Sequence, residues 1–274
     1  MEVHDAALLG VIQGLTEFLP VSSSGHLVLF QNLFGLTEPE IYFDISVHVG
    51  TLLAICVFFY KDLKGIAAAL FSTSTWNVRR GGFDESLTRK PELKFFLLIL
   101  VGTVPTAFIG LLLRPIAPKI FSNVQLVGVM LFVTGLLLWL TRRLKKGGGN
   151  AGQITLWDAL CIGTIQGLAI FPGISRSGST IAVGLFRGLD RETAARYSFL
   201  LSIPAILGAM VLELGQTPTS AVPPVRVVLL GAFIAAAVGY VALTILVHLV
   251  KKGDLYYFAP YCWALGLVTI VSSL

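Results

Sequence analysis

The sequence predicts an all-α integral membrane protein built as an inverted-topology repeat, each repeat a broken re-entrant helical hairpin followed by three transmembrane helices. Of the 274 residues, 55% are hydrophobic and only 13% are charged, which is about half the charged fraction of a soluble domain. Apolar runs of about 18 to 20 residues recur, and this is the length that crosses a bilayer. Two further apolar stretches resemble each other, and polar residues interrupt both.

Six apolar segments are long enough to be membrane spans. We predict a transmembrane helix at residues 41–60, 94–113, 122–141, 194–213, 226–249 and 256–273. The chain 1–274 should form a single membrane domain, with repeat one at about 1–148 and repeat two at about 150–274. Its basic residues are spread over the loops instead of forming a patch, which argues against a nucleic-acid partner.

The other two apolar stretches, residues 6–34 and 155–187, are each broken midway. LPVSSSGH interrupts the first stretch and FPGISRSGST the second. Pro20, Pro172 and Gly173 disfavour a continuous helix, because proline lacks an amide donor and clashes with the preceding turn. Such breaks at membrane depth are tolerated only where they are buried in protein or line a watery cavity. We therefore predict a re-entrant hairpin in each stretch.

The two broken stretches are copies of one another. Residues 10–27, GVIQGLTEFLPVSSSGHL, align without gaps with residues 163–180, GTIQGLAIFPGISRSGST, and nine of the eighteen pairs are identical. Each copy is followed by three spans, an odd number, so the second copy should be inverted relative to the first. The two tips would then meet near the middle of the membrane, an architecture typical of transporters.

The distribution of lysine and arginine supports this topology. If residues 61–93 face the cytoplasm, the segments on that side carry fourteen Lys and Arg residues, against three between spans on the opposite side. Cytoplasmic loops of membrane proteins are enriched in these residues. The first hairpin would then enter from outside and the second from the cytoplasm.

The tip of the first hairpin carries acid–base groups. Gln13 and Glu17 lie four residues apart, on one helix face, and the residues that follow include Ser22, Ser23, Ser24 and His26. A carboxylate in a membrane segment is costly and indicates a functional site. Structural interpretations stay open beside this one: a hydrogen-bonded buried carboxyl for Glu17, a core imidazole for His26, and a helix cap for any single serine.

The tip of the second hairpin carries groups that bind anions. Its polar residues are Ser175, Arg176, Ser177, Ser179 and Thr180. The half-helix that starts there presents free N–H groups to an anion, and the planar guanidinium of Arg176 fits phosphate oxygens. The alternative for Arg176 is a buried ion pair with Glu17. Together the two tips predict phosphoryl transfer.

Two known patterns share fragments with these tips. SSGH and SR resemble parts of the acid-phosphatase and lipid-phosphatase signature, but the only histidine after His48 is His248, with no acidic residue four positions on. We therefore reject that family.

QGLTEFLPVSSSGH and PGISRSGST, in this order, resemble the bacterial undecaprenyl pyrophosphate phosphatase family, and residues 44–63 are similar to its next segment. His48 stands where that family commonly has glutamine. Gln13 stands at the first glutamate position of that family's motif. Glu17 is therefore expected to carry most of the roles that need a carboxylate.

The resemblance implies an enzyme of the bacterial inner membrane. It would hydrolyse undecaprenyl pyrophosphate to undecaprenyl phosphate and inorganic phosphate, and so recycle the lipid carrier for cell-wall synthesis. The resemblance also implies a divalent metal, Mg²⁺ or Ca²⁺, an association with bacitracin resistance, and a catalytic cavity that faces the periplasm. The expected partners are the lipid pyrophosphate and the membrane. A homodimer is left open, because no residue pattern decides the oligomeric state.

The chemistry of the side chains assigns the roles. Glu17, helped by Gln13, is expected to hold the metal. The expected phosphate ligands are Ser22, Ser24, Ser175, Arg176, Ser177 and Thr180. We favour Ser23 as the nucleophile and His26 as the acid/base, while the reverse assignment and a metal-activated water stay open.

The alternative function is a transporter or flippase of an anionic prenyl-phosphate lipid, because the architecture is transporter-like. The serine and histidine of the first tip argue against it, since an anion carrier needs hydrogen-bond donors but no nucleophile.

The predicted topology can be tested with fused reporters. A reporter placed within residues 72–92 or at Gly148 should register as cytoplasmic, and one at the C-terminus as external, because three spans separate Gly148 from the C-terminus. Matching signals at Gly148 and at the C-terminus would contradict the inverted repeat.

Overall fold

The computed structural model describes residues 2–33, 41–71, 91–144, 154–214 and 224–273, and no β-strand occurs in these ranges. The α-helices are α1 (Val3–Phe18), α2 (Ser23–Leu33), α3 (Ile41–Phe58), α4 (Tyr60–Phe71), α5 (Pro91–Leu113), α6 (Ala117–Phe121), α7 (Val124–Leu140), α8 (Leu156–Leu168), α9 (Arg176–Phe186), α10 (Arg191–Leu214), α11 (Val225–Lys252) and α12 (Ala259–Ser272). Short 3₁₀ helices lie at Arg114–Ile116, Thr141–Arg143 and Leu255–Phe258. The predicted all-α class is confirmed.

The spans of this membrane protein match the apolar segments of the sequence. Within the described ranges, five helical stretches are long and apolar enough to cross a membrane: Pro91–Phe121, Val124–Arg143, Arg191–Glu213, Val225–Lys252 and Leu255–Ser272. A sixth consists of Tyr42–Phe58 and continues, after a 76° bend, as Tyr60–Phe71. The chain is therefore a multi-pass membrane protein.

The bend between α3 and α4 is the main departure from the predicted spans. The sequence predicted that the chain leaves the membrane after residue 60, whereas the structure continues as helix to Phe71. Helix α4 has a mixed composition, with Lys61, Asp62 and Lys64 in its first turns. These charges fit a helix that turns aside from the span better than one that continues it. Residues 72–90 of the predicted cytoplasmic loop lie outside the described residues.

Both apolar stretches that carry polar tips are broken where proline and glycine predicted. Helix α1 ends at Phe18 and α2 begins at Ser23, while α8 ends at Leu168 and α9 begins at Arg176. Ser22 has φ +71° and Gly173 has φ +99°, a left-handed conformation that lets the backbone reverse sharply. Each stretch is therefore a pair of half-helices with a polar segment between them.

The first half-helix of each hairpin packs closely along a span from the other half of the chain, α1 against α11 and α8 against α5. Glycines make this approach possible. A Cβ added at Gly10 would lie 2.8 Å from the carbonyl oxygen of Gly231, and one at Gly163 would collide with the carbonyl of Gly102. Such close backbone packing is what holds helices together in a membrane, where lipid offers no hydrophobic driving force.

Large buried side chains connect the first hairpin to the helices packed against it. Phe18, the last residue of α1, is fully buried, and its ring meets that of Phe199 edge-on at a centroid distance of 5.8 Å. Tyr197, also on α10, donates a hydrogen bond of 2.6 Å to the carbonyl of Leu98 on α5. Helix α10 thus ties the first hairpin to α5.

Substitution of Gly163 tests the close crossing of α8 and α5. Gly163→Ala should destabilise the protein by roughly 1 to 3 kcal/mol, because the added methyl group overpacks a backbone contact. The measurement is thermal unfolding in detergent. Gly110→Ala is the control, since nothing lies within 4 Å of a Cβ at that position, and it should be neutral or stabilising by up to about 1 kcal/mol. Equal melting temperatures for the two variants would contradict the close crossing of α8 and α5.

Candidate active site

Glu17 is the centre of a buried polar cluster that joins four helices, α1, α2, α3 and α9, and both hairpins. Its Oε2 accepts hydrogen bonds from Gln13 Nε2 at 3.0 Å and from Ser23 Oγ at 2.6 Å. Its Oε1 is ion-paired with Arg176 Nη2. His48 Nε2, on α3, lies 3.9 Å from Oε2. The cluster therefore collects the carboxylate, amide, hydroxyl and guanidinium groups that the sequence predicted at the two tips.

Arg176 is the first residue of α9 and reaches across to the first hairpin. The ion pair with Glu17, which the sequence left as an alternative, is present. Only Nη2 makes this contact, however. Nη1 is buried and has no hydrogen-bond partner among the residues that the structure describes. The guanidinium thus binds the carboxylate with one nitrogen and keeps a second donor available.

An unused acceptor belongs to the same cluster. Gln13 donates to Glu17 through Nε2, while its Oε1 is buried and lacks a partner within the described part of the chain. Leaving a buried polar atom without a hydrogen bond costs about 1 to 3 kcal/mol, and most such atoms in folded proteins are paired. A free acceptor on Gln13 and a free donor on Arg176, both held by one carboxylate, indicate a site for a polar ligand.

The side chains of Ser23 and His26 form hydrogen bonds with different partners. The Ser23 hydroxyl donates to Glu17. His26 Nδ1 lies 2.8 Å from the Ser22 carbonyl oxygen, and its Nε2 lies 2.7 Å from the Tyr261 hydroxyl. Because a carbonyl only accepts, Nδ1 carries the proton, and in the neutral ring Nε2 accepts from Tyr261. No hydrogen bond joins Ser23 to His26 in the described ranges, so their predicted catalytic pairing stays a prediction.

The hydroxyls of the second tip bond protein atoms. Ser175 Oγ caps α9 by accepting from the Gly178 amide at 3.1 Å, and it lies 3.2 Å from Ser177 Oγ. Ser177 Oγ donates to the Phe18 carbonyl at 2.9 Å. Thr180 Oγ1 donates to the Arg176 carbonyl at 2.7 Å. These groups hold the tip in place, and their contact with phosphate stays a prediction.

The serines of the first tip are also bonded within the protein. Ser22 Oγ accepts from the Gly173 amide of the other hairpin at 3.0 Å and from the Gly25 amide at 3.4 Å. Ser24 Oγ lies 3.4 Å from Ser22 Oγ and is half-buried. Ser22 thus fastens one tip to the other, and Ser24 is the more accessible of the two.

Four residues around the site carry no role in the sequence-based assignment. His48, which stands where the resembling family commonly has glutamine, adjoins Glu17. Tyr261 contacts His26 from 235 residues away. Thr134 accepts from the Ser175 amide at 3.0 Å, and Ser198 Oγ lies 2.5 Å from Thr180 Oγ1. The polar ends of these side chains sit in apolar spans, which is the only signal that the sequence offers for them.

The donor set suits a hard cation that is shared with a ligand. In the described ranges, no group of three His, Cys, Asp or Glu residues could hold a metal by itself. Mg²⁺, however, is commonly held by one or two carboxylates together with substrate phosphates. The Glu17 carboxylate and the unpaired Oε1 of Gln13 supply two such oxygens. The residues therefore fit the divalent metal that the resemblance implied.

Comparison with known proteins identifies the family. The chain matches the family described as Bacitracin resistance protein BacA over residues 6–268. It is 50% identical over 273 residues to the undecaprenyl-diphosphatase of Desulforapulum autotrophicum, covering 100% of this chain and 99% of the relative. It is 51% identical over 271 residues to the undecaprenyl-diphosphatase of Desulfosudis oleivorans, covering 98% of each. With a family match over most of its length and relatives this similar, the chain belongs to the BacA family of bacitracin resistance proteins.

Proposed function

We propose that this protein is an undecaprenyl-diphosphatase, which hydrolyses undecaprenyl pyrophosphate to undecaprenyl phosphate and inorganic phosphate at the tips of its two hairpins. The observation that carries the proposal is the buried Glu17–Arg176 pair with its unused donor, Arg176 Nη1. Relatives that are about half identical over the whole chain are named for this activity. The product would return the lipid carrier to cell-wall synthesis.

Arg176 is the proposed phosphate ligand. A guanidinium can bind a carboxylate and a phosphate through different nitrogens, because its donors are arranged as a rigid planar fork. The ion pair with Glu17 fixes the plane of the fork, so that Nη1 meets the substrate without prior reorganisation. Donors that are already oriented in a dry site stabilise the charge that develops during phosphoryl transfer. Ser175, Ser177 and Thr180 support this group by holding the start of α9.

Glu17 and Gln13 are the proposed metal ligands. A bound Mg²⁺ or Ca²⁺ would neutralise charge on the pyrophosphate oxygens. Gln13 contributes a neutral oxygen. A second carboxylate at this position would add negative charge to the site. The single carboxylate is already partly compensated by Arg176, so we expect metal affinity to depend on the substrate phosphates.

Ser23 is the proposed nucleophile, and His26 is the proposed acid/base through Nε2. The Ser23 hydroxyl donates a hydrogen bond of 2.6 Å to the Glu17 carboxylate, which orients the hydroxyl for attack. His26 can exchange protons only at Nε2, because the Ser22 carbonyl occupies Nδ1. Tyr261 holds the ring from the other side. A metal-activated water remains the alternative nucleophile.

We also infer that the chain is an inverted repeat, and the two tips support this with equivalent contacts. Ser22 and Ser175 occupy matching positions, and each caps the half-helix that follows it. Extending the alignment toward the N-terminus pairs Asp5 with Asp158, and each closes a capping box at the start of its hairpin.

The third spans of the two repeats support the same inference. Between α7 and α12, a Cβ on Gly128 would lie 2.9 Å from the Gly266 carbonyl, and one on Gly266 would lie 2.8 Å from the Gly128 carbonyl. Such reciprocity is expected about a two-fold axis.

The proposed setting is the bacterial inner membrane, with the catalytic cavity open to the periplasmic face. The excess of basic residues in segments assigned to the cytoplasm supports the orientation, and the family supports the cellular location. The homodimer stays a prediction. The alternative function, a transporter or flippase, is not favoured, because the relatives are named undecaprenyl-diphosphatases and a serine hydroxyl is hydrogen-bonded to a carboxylate at the site.

Phosphate release tests the function. The full chain, purified in detergent and given undecaprenyl pyrophosphate and Mg²⁺, should release inorganic phosphate. Glu17→Gln keeps the size of the side chain but removes the charge that binds the metal and accepts from Ser23, so turnover should fall at least about a hundredfold. Thermal unfolding serves as the folding control.

Two results would count against this function. If the parent released no phosphate above background in the presence of metal, the result would contradict the phosphatase and favour the transporter or flippase. If Glu17→Gln kept near-parental activity and metal response, the role of Glu17 would be wrong even if the function were right.

The substitution Arg176→Lys tests whether Arg176 binds phosphate or only forms an ion pair with Glu17. Lysine can still pair with Glu17, but its compact ammonium cannot also present an oriented second donor to the substrate. Losing one charge-assisted hydrogen bond, worth roughly 1.5 to 3 kcal/mol, should lower kcat/KM about tenfold to a hundredfold. Arg176→Ala should lower it further. A lysine variant within about twofold of the parent would show that Arg176 only neutralises Glu17.

A further inference from the structure

A polar cleft lies away from the hairpin tips, where the ends of three helical segments meet. It has a volume of about 370 Å³ and is lined by Arg142, Leu144, Arg191, Gly253 and Tyr256. These residues come from the end of α7, the start of α10, and the junction between α11 and α12. In the sequence, the basic residues of these loops indicated only the topology. The structure brings the loops together around one cavity.

The cleft has two arginines that are not neutralised. Within the described ranges, neither Arg142 nor Arg191 forms an ion pair with a carboxylate. The nearby Glu192 is paired with Lys251 at 3.1 Å. One acidic residue, Asp254, lies close enough to act electrostatically on Tyr256. Among the residues that line the cleft, the charged ones are the two arginines, so the lining is positive, and such a cavity favours an anion.

Both arginines are held in position before any ligand arrives. The guanidinium carbon of Arg142 lies 3.9 Å from the centre of the Trp139 ring. Gly253 has φ +84°, and a Cβ there would lie only 2.6 Å from the guanidinium carbon of Arg191. The glycine thus lets Arg191 lie directly on the backbone at the end of α11. Side chains that are already ordered lose less entropy when a ligand binds.

The length of α7 beyond the hairpin tip is consistent with a cleft at the depth of lipid headgroups. Thr134 contacts the second hairpin tip, and Arg142 follows eight residues later, about 12 Å farther along the helix. With the tip near the midplane, this distance approaches the edge of a hydrocarbon core about 30 Å thick. Trp139 also packs against Tyr256 and Trp263, at centroid distances of 6.4 and 5.6 Å. Tryptophan and tyrosine are enriched at this boundary.

We propose that this cleft binds the phosphate headgroup of an anionic glycerophospholipid, at a site distinct from the catalytic one. The forks of two guanidinium groups match a phosphodiester, and basic pockets between membrane helices bind such headgroups. The volume exceeds that of a phosphate ion and leaves room for a glycerol group beside Tyr256. The proposal does not depend on the chemistry at Glu17, since no catalytic residue lines the cleft.

Native mass spectrometry of the full chain in detergent, with phosphatidylglycerol and phosphatidylcholine in competition, tests this site. The parent should retain phosphatidylglycerol preferentially and be thermally stabilised by it. The double variant Arg142→Ala/Arg191→Ala should lower the preference, by roughly fivefold for each arginine removed. Arg226→Ala is the matched control: it removes an exposed arginine near the opposite end of α11, about 40 Å from the cleft, and should keep the parental preference.

Three outcomes would overturn the proposal. The first is a double variant that retains phosphatidylglycerol as the parent does, and the second is an equal loss in Arg226→Ala. The third is equal stabilisation by inorganic phosphate, which would make the cleft a site for free anions. Phosphate release by the double variant should stay at the parental level, so a failure here is distinguishable from a failure of the proposed enzyme. If the double variant does not fold, Arg142→Gln replaces it, because that side chain is exposed, and an unchanged preference would be equally decisive.

Discussion

A carboxylate in the apolar interior of a membrane protein has to be paired, and the partner of Glu17 comes from the other half of the chain. Breaking such a buried pair costs about 3 to 5 kcal/mol, because it leaves a charge without compensation. Arg176 and Ser23 occupy equivalent positions in the two hairpins, each at the start of the second half-helix, and they bond the two oxygens of the same carboxylate. One acidic side chain therefore fixes both tips relative to each other and sets the position of the chemical groups.

The backbone groups freed by the two breaks are satisfied across the same contact. The Gly173 amide donates to Ser22, and Ser177 donates to the Phe18 carbonyl. Thr134 bonds both the carbonyl of Gly173 and the amide of Ser175. In a membrane no water is present to form hydrogen bonds with these backbone groups. The hydroxyls of the tips therefore bond them and stabilise the fold. The polar atoms left for a ligand are the few that this network does not use.

A phosphate group would meet two different environments in this protein, one buried at the hairpin tips and one in the cleft. At the tips an unpaired guanidinium nitrogen of Arg176 lies in a buried cluster, where low dielectric strengthens each interaction with developing charge. In the cleft between α7, α10 and α11, two arginines lie near the rings of Trp139 and Tyr256. The first arrangement favours catalysis, whereas the second favours reversible binding of a headgroup from the surrounding lipid.

The sequence by itself determined the features that depend on neighbours along the chain. Hydropathy located the six spans, proline and glycine located the two breaks, and helical spacing placed Gln13 beside Glu17. The tertiary structure decided what lies between helices: the ion pair of Arg176, the approach of His48 to Glu17, the contact of Tyr261 with His26, and the bend before α4. Local propensity and transfer energy act over a few residues and can be read directly. The distance between side chains 235 positions apart depends on how the helices cross, and that is fixed only by the packing of the whole bundle.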